Sequence, residues 1–280
     1  MTIIYLYRSL AAFGGVERIF IDKANYLAEH YGYHVYIITW EQGGHSIVYP
    51  LSPKVTHVDW GILFYRQYQY GLFKRMFMQW KMEKEFFKKL SNFVHTTQAD
   101  IVIGASCEFT TMAGMDLLQR KTHTILETHS MRTSIEKNNP PAGNLLMRRA
   151  FKRRDKQLHQ YIKHMSAFVT LTHNDAKDWS DITPQARIIP NMLHRYPAEI
   201  SPDKKTQKRI ITAGRLVEQK GYDLLLDAWS KVHQKHPEWI LDIYGEGEDK
   251  TMLLEKRKNL ALENSVLFHP PTLDIYQKYM

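Results

Sequence analysis

Cysteine is almost absent from the 280-residue sequence: Cys107 stands alone. One thiol excludes an intramolecular disulfide and a thiolate zinc cluster, and it fits a reducing compartment. Long apolar runs are also missing. No stretch approaches the roughly 18 unbroken apolar residues of a membrane span. The N-terminus, MTIIYLYRSLAAF, has no basic segment, and Arg8 interrupts its apolar run; it reads as a first strand, not a secretory leader. No repeat recurs at a solenoid period, and no His, Cys, Asp or Glu cluster has the spacing of a metal site. Positive charge, by contrast, is in excess: 38 Lys and Arg against 29 Asp and Glu give a net +9 and a pI near 9.4. That balance calls for an anionic partner, whether nucleic acid, anionic lipid or a phosphorylated small molecule.

The chain is long enough for two domains, each with its own core. Ile3 to Tyr7 is a short apolar run, Gly14-Gly15 follows, and Val16 to His30 has helical spacing. His34 to Trp40 is β-branched and aromatic, as a strand requires. Strand, glycine turn, helix, strand is a βαβ unit and predicts a parallel sheet covered by helices. Further strands are expected at 55–58, 100–104, 123–127, 167–172 and 187–189, with helices over 71–90 and 144–164. Thr172 with Asp175 forms a helix start. Residues 194–208 carry two prolines and no periodicity; they read as a linker. A second alternating series follows: strand 209–213, helix 222–235, strand 239–244, helix 248–261 and strand 265–268, then the start of another helix. The division is therefore 1–190 for an N-terminal Rossmann-like domain, 191–208 for the hinge, and 209–280 for a second, partial one.

In open parallel sheets, ligands bind where strands run into helices at their carboxyl ends. Three such loops hold glycine: Gly14-Gly15, Gly214 to Gly221, and Gly245-Glu246-Gly247. Glycine admits close backbone approach, and a helix start offers free N–H groups to an anion. The middle loop adds Arg215, suited to hold phosphate oxygens bidentately, and Lys220, a compact point charge. They are either a diphosphate cradle or solvated surface charges; positive charge at a helix start is unfavourable without an anion.

The ordered set GGVER at 14–18, IIPN at 188–191, GRLVEQKGYDLLLDAW from Gly214 and WILDIYGEGED from Trp239 resembles the retaining glycosyltransferases of family 4. The likeness covers most of the chain and is strongest from Ile188 to Phe268. It implies an α/β GT-B fold of two Rossmann-like, doubly wound parallel-sheet domains, the second incomplete here, binding a nucleotide sugar without a metal or other cofactor. By resemblance Arg215 and Lys220 contact the donor diphosphate, Gly14 and Gly15 approach it, and Gly245, Glu246 and Gly247 lie on the nucleotide side. His129, in TILETHS, matches a catalytic-site histidine near the transferred sugar; a capping role is the alternative. Glu17 and Arg18 open the first helix, where Glu17 suits the helix dipole.

The family's paired-glutamate motif is not found after Phe268, so weak donor affinity and little turnover are expected of these 280 residues. The implied product is a glycan or lipid-linked acceptor extended with retention, in cell-envelope polysaccharide or lipopolysaccharide biosynthesis. Helix 71–90 mixes Lys74, Arg75, Lys81, Lys84, Lys88 and Lys89 with Phe73, Met76, Phe77, Trp80 and Phe86, and residues 148–156 (RRAFKRRDK) add a basic block. These are either core faces with solvated lysines or a surface for anionic membrane; the second places the protein on the inner face of the cytoplasmic membrane. A non-catalytic nucleotide or anion-binding module is the competing class. Nucleic-acid binding rests on charge alone and is not expected, for no helix-turn-helix or RNA-platform pattern supports it.

Overall fold

The computed structural model describes residues 1–105, 107–118, 122–132, 145–193 and 208–279. Backbone contacts divide the chain into two units: Met1–Ala12 with Val16–Met192, and Phe13–Gly15 with Leu193–Met280. The linker reading of 194–208 lies, except for Lys208, outside the described residues.

The first unit is built on seven parallel strands in the order β3-β2-β1-β4-β5-β6-β7. They are β1 (Thr2–Leu6), β2 (His34–Thr39), β3 (Val55–Asp59), β4 (Ile101–Gly104), β5 (His123–Glu127), β6 (Ala167–Thr170) and β7 (Arg187–Ile188). Both faces are covered, as an all-parallel sheet requires. Side chains alternate accordingly: Ile3 and Tyr5 of β1 join one core with Phe20, Ile21, Ala24 and Ala28 of α1 (Gly15–His30). Ile4 and Leu6 join the other core, with Phe86, Leu90 and Val94 of α2 (Leu72–Thr97) and Met112 and Met115 of α3 (Phe109–Asp116). Helices α4 (Leu145–His164) and α5 (His173–Asp178) follow β5 and β6. Thr172 caps α5 as expected: its hydroxyl accepts the Asp175 N–H at 3.1 Å. The chain leaves β1 toward β2 on one side and later enters β4 on the other, so the topological switch lies between β1 and β4.

Two elements differ from the sequence reading. Helix α2 continues seven residues past Leu90, because Val94 still packs on the core through the weak helix formers Ser91 and Asn92; Gln98, left-handed at φ 49°, ends it. Helix α3 gave no periodic signal, since five of its eight residues are buried: Thr111, Met112, Ala113, Gly114 and Met115.

The second unit has three parallel strands in the order β10-β9-β8: β8 (Arg209–Ala213), β9 (Ile240–Tyr244) and β10 (Val266–His269). Helices α6 (Tyr222–Lys235), α7 (Lys250–Asn259) and α8 (Ile275–Tyr279) connect and follow them. Its core gathers Leu216, Tyr222, Leu226, Trp229, Leu241, Ile243, Leu253, Leu262 and Val266. Two doubly wound parallel sheets, the second much smaller, form the architecture of a GT-B fold.

Candidate functional site

In the second unit, two loops at the carboxyl ends of β8 and β9 are locked together. The Leu216 N–H donates to the Glu246 carbonyl at 2.9 Å, and the Leu216 carbonyl accepts the Asp249 N–H at 3.0 Å. Leu216 itself is wholly buried. A side chain at Gly245 would collide with the Gly214 carbonyl, and one at Gly247 with the Leu216 backbone. The two glycines therefore have a packing reason that their sequence context did not reveal. The first loop continues through a single 3-10 turn, Glu218–Lys220, to Gly221, whose φ of 64° opens α6.

Arg215 and Lys220 emerge from this anchored loop on either side of buried Leu216, and both are exposed. Among the described residues neither side chain has a hydrogen bond or ion pair. Several other cations of the unit are paired: Lys208 with Glu238 at 2.8 Å, Lys250 with Glu246 at 2.8 Å, Lys256 with Asp227 at 2.7 Å. Arg209 grips Asp242 through two bonds of 2.7 and 2.6 Å. Below the loops, His269 Nε2 lies 2.7 Å from Asp242 Oδ1. Burial opposes the Asp242 charge, but Arg209 and His269 outweigh it and hold its carboxyl below the ordinary value.

In the first unit, His129 follows β5 and shares a pocket of about 150 Å³ with Ile19 and Lys23 of α1, Glu127, Val169, Leu171 and residues 189–192. Glu127 ends β5, and alternation puts it on the same face as Ile125, toward α1. The Lys23 ammonium donates to Glu127 Oε1 at 2.5 Å. Glu127 Oε2 lies 3.5 Å from His129 Nε2, an ion-pair separation too long for a good hydrogen bond. Both carboxylate and ring are over nine-tenths buried. Among the described residues, Glu127 Oε2 and both His129 nitrogens lack a hydrogen-bond partner. Burial opposes the Glu127 charge; His129 and Lys23 outweigh it and hold the carboxyl below its usual range.

Helix α1 starts at Gly15, where a Cβ would meet nothing within 4 Å. Glu17 accepts the Tyr7 hydroxyl at 3.1 Å, a structural use of that residue. At the switch point, Arg8 is paired with Glu41. Burial raises the neighbouring Glu108, although Arg8 pulls the other way. Burial also pushes the Cys107 thiol up to about 12, so it is not a thiolate at neutral pH.

The structure thus brings Arg215, Lys220 and the 245–247 turn together in one unit and sets His129 beside Lys23 and Glu127 in the other. Lys23 and Glu127 escaped the sequence reading. The available signal was a carboxylate directly after the apolar pair Ile125-Leu126, at the end of a strand.

Residues 198–277 match the family model described as glycosyl transferases group 1. The chain is 27% identical over 281 residues to an uncharacterized glycosyltransferase of Haemophilus influenzae, covering 97% of this chain and 69% of that protein. Over 89 residues, 32% of this chain and 24% of the relative, it is 41% identical to the amylovoran biosynthesis glycosyltransferase AmsD of Erwinia amylovora. Among solved structures, TarM of S. aureus in complex with fondaparinux, α-GlcNAc-glycerol and UDP superposes with a TM-score of 0.69 at 12% identity, covering 99% of this chain and 78% of that one. These findings show a GT-B-type fold and a sequence similarity to glycosyltransferases, with residues 198–277 matching the group 1 family.

Proposed function

We propose that the protein moves a sugar from a nucleotide-diphosphate donor to a glycan or lipid-linked acceptor, with retention, in cell-envelope polysaccharide or lipopolysaccharide biosynthesis. The observation that carries this reading is the exposed pair Arg215 and Lys220, unpaired among the described residues, on a loop held rigid by Leu216 and the 245–247 turn. Two fixed cations can neutralise a diphosphate as it departs and acquires charge, the task a metal performs elsewhere. In this reading residues 209–280 form the donor domain, Gly245, Glu246 and Gly247 border the nucleotide, and 1–190 form the acceptor domain across the hinge at 191–208. Gly14 and Gly15 approach the diphosphate, and His129 faces the transferred sugar. The sugar and polysaccharide relatives named above support the substrate class.

The acceptor side of the reading includes an anionic membrane surface. The first turns of α2 expose their apolar side chains: Phe73 is 87% exposed, and Leu72, Met76, Phe77 and Trp80 are at least half exposed. Lys74 and Arg75 stack on Tyr70 and Tyr68, and Lys84 on Trp80. An apolar patch rimmed by cations suits a headgroup boundary. In the 148–156 block, Arg149, Lys152, Arg153, Arg154 and Lys156 are exposed and add positive charge. Among the described residues no helix is long and apolar enough to cross a membrane.

Calorimetric titration with UDP, GDP and ADP tests the donor assignment. One nucleotide binds, and Arg215→Ala weakens it by about 10- to 100-fold, the worth of a charged hydrogen bond. Equal affinity in wild type and variant removes Arg215 from the site.

A further inference from the structure

We propose that Glu127 is a positioning residue for His129: its Oε2 holds the imidazole proton on Nε2, so that Nδ1 is presented to the pocket as a hydrogen-bond acceptor. The argument starts from the strand. Thr124 and Leu126 of β5 alternate with Ile125 and Glu127, and the glutamate is the residue that continues toward α1 at the carboxyl end. Burying a carboxylate there is costly unless it is paired. Lys23 supplies the pairing at Oε1 and leaves Oε2 free of any bond among the described residues. His129 Nε2 lies 3.5 Å from that oxygen. A neutral imidazole has one donor and one acceptor nitrogen. A buried anion facing one of them selects the form that carries the proton there. The other nitrogen then offers a lone pair.

Nδ1 is also buried and unpartnered among the described residues, and the rest of the pocket wall is largely aliphatic: Ile19, Val169, Leu171 and Ile189. A buried acceptor without a donor is costly. The geometry therefore favours a ligand that donates a hydrogen bond and carries no net charge, since Lys23 and Glu127 already balance. A hydroxyl group meets both conditions, whereas a phosphate or carboxylate offers Nδ1 no proton. That the hydroxyl belongs to a sugar rests on the function proposed above; the position of the proton does not.

The test is nitrogen-15 NMR of the histidine-labelled, ligand-free chain, in which protonated and bare ring nitrogens resonate far apart. The His129 signals are assigned by their loss in His129→Asn. Wild type shows the Nε2–H form. Lys23→Arg keeps a cation on the carboxylate and keeps that form. The double variant Lys23→Met/Glu127→Leu, which removes the pair without stranding a charge, loses the preference. If the double variant does not fold, Glu127→Asp replaces it, because the shorter side chain withdraws the carboxylate from the ring and reduces the preference. A wild-type ring protonated on Nδ1, or a tautomer ratio unchanged in the glutamate variants, overturns the proposal. Those outcomes are independent of whether any nucleotide sugar binds.

Discussion

Gly247 has no space for a side chain against Leu216. A Cβ built on it would overlap the Leu216 carbonyl oxygen and lie 2.7 Å from the Leu216 nitrogen. The obstacle is backbone, fixed on one side by the Leu216–Glu246 bond and on the other by the Asp249–Leu216 bond. Gly247→Ala therefore destabilises the second unit by about 3 kcal/mol, the upper end of overpacking costs. Amide exchange in β8 and β9 reports it. Exchange that stays as slow as in wild type contradicts the interlock.

The two halves of α2 respond differently to truncation. Phe73, Phe77 and Trp80 are exposed, so replacing all three by serine changes stability by no more than about 0.5 kcal/mol each. Phe86 is fully buried between Trp40, Trp60 and Phe64, and Phe86→Ala costs about 3–5 kcal/mol. Flotation with vesicles containing phosphatidylglycerol separates the functions. The triple serine variant loses binding while keeping its melting temperature, and undiminished flotation excludes the patch as the contact.

Acid weakens both units through their buried carboxylates. Asp242 and Glu127 have folded values below their ordinary 3.8 and 4.5. The unfolded chain then binds more protons than the folded one in this range, so stability rises with pH. The contribution is complete above the ordinary carboxylate values and disappears as pH falls through the lower folded ones. Urea midpoints measured between pH 6 and pH 3 show the loss. Asp242→Asn lowers stability at pH 6 by about 1–3 kcal/mol and flattens the slope; an unchanged slope contradicts the assignment.

Much of this was legible in the sequence. The βαβ series followed from alternating periodicities, and the strand-to-helix loop from Gly214 to Gly221 stood out because it combines glycines with two cations. Some of it was not. Helix α3 is too short and too buried to show a polar face, and α2 extends past Ser91 and Asn92 through the packing of Val94. The structural need for Gly245 and Gly247 comes from a loop some 30 residues earlier in the chain, beyond any local pattern. Lys23 and Glu127 meet across 104 residues. No local pattern joins them; the fold places both in the pocket with His129.

The most direct test of the account is thermal stabilisation across UDP-, GDP- and ADP-sugars, in wild type, Arg215→Ala and Lys220→Ala. Both side chains are exposed and unpaired among the described residues, so each substitution leaves the stability of the unliganded chain within about 0.5 kcal/mol of wild type. The account predicts that nucleotide sugars of one base raise the wild-type melting temperature and that either substitution removes most of the rise. Stabilisation that survives both substitutions, or none with any donor in wild type, contradicts it.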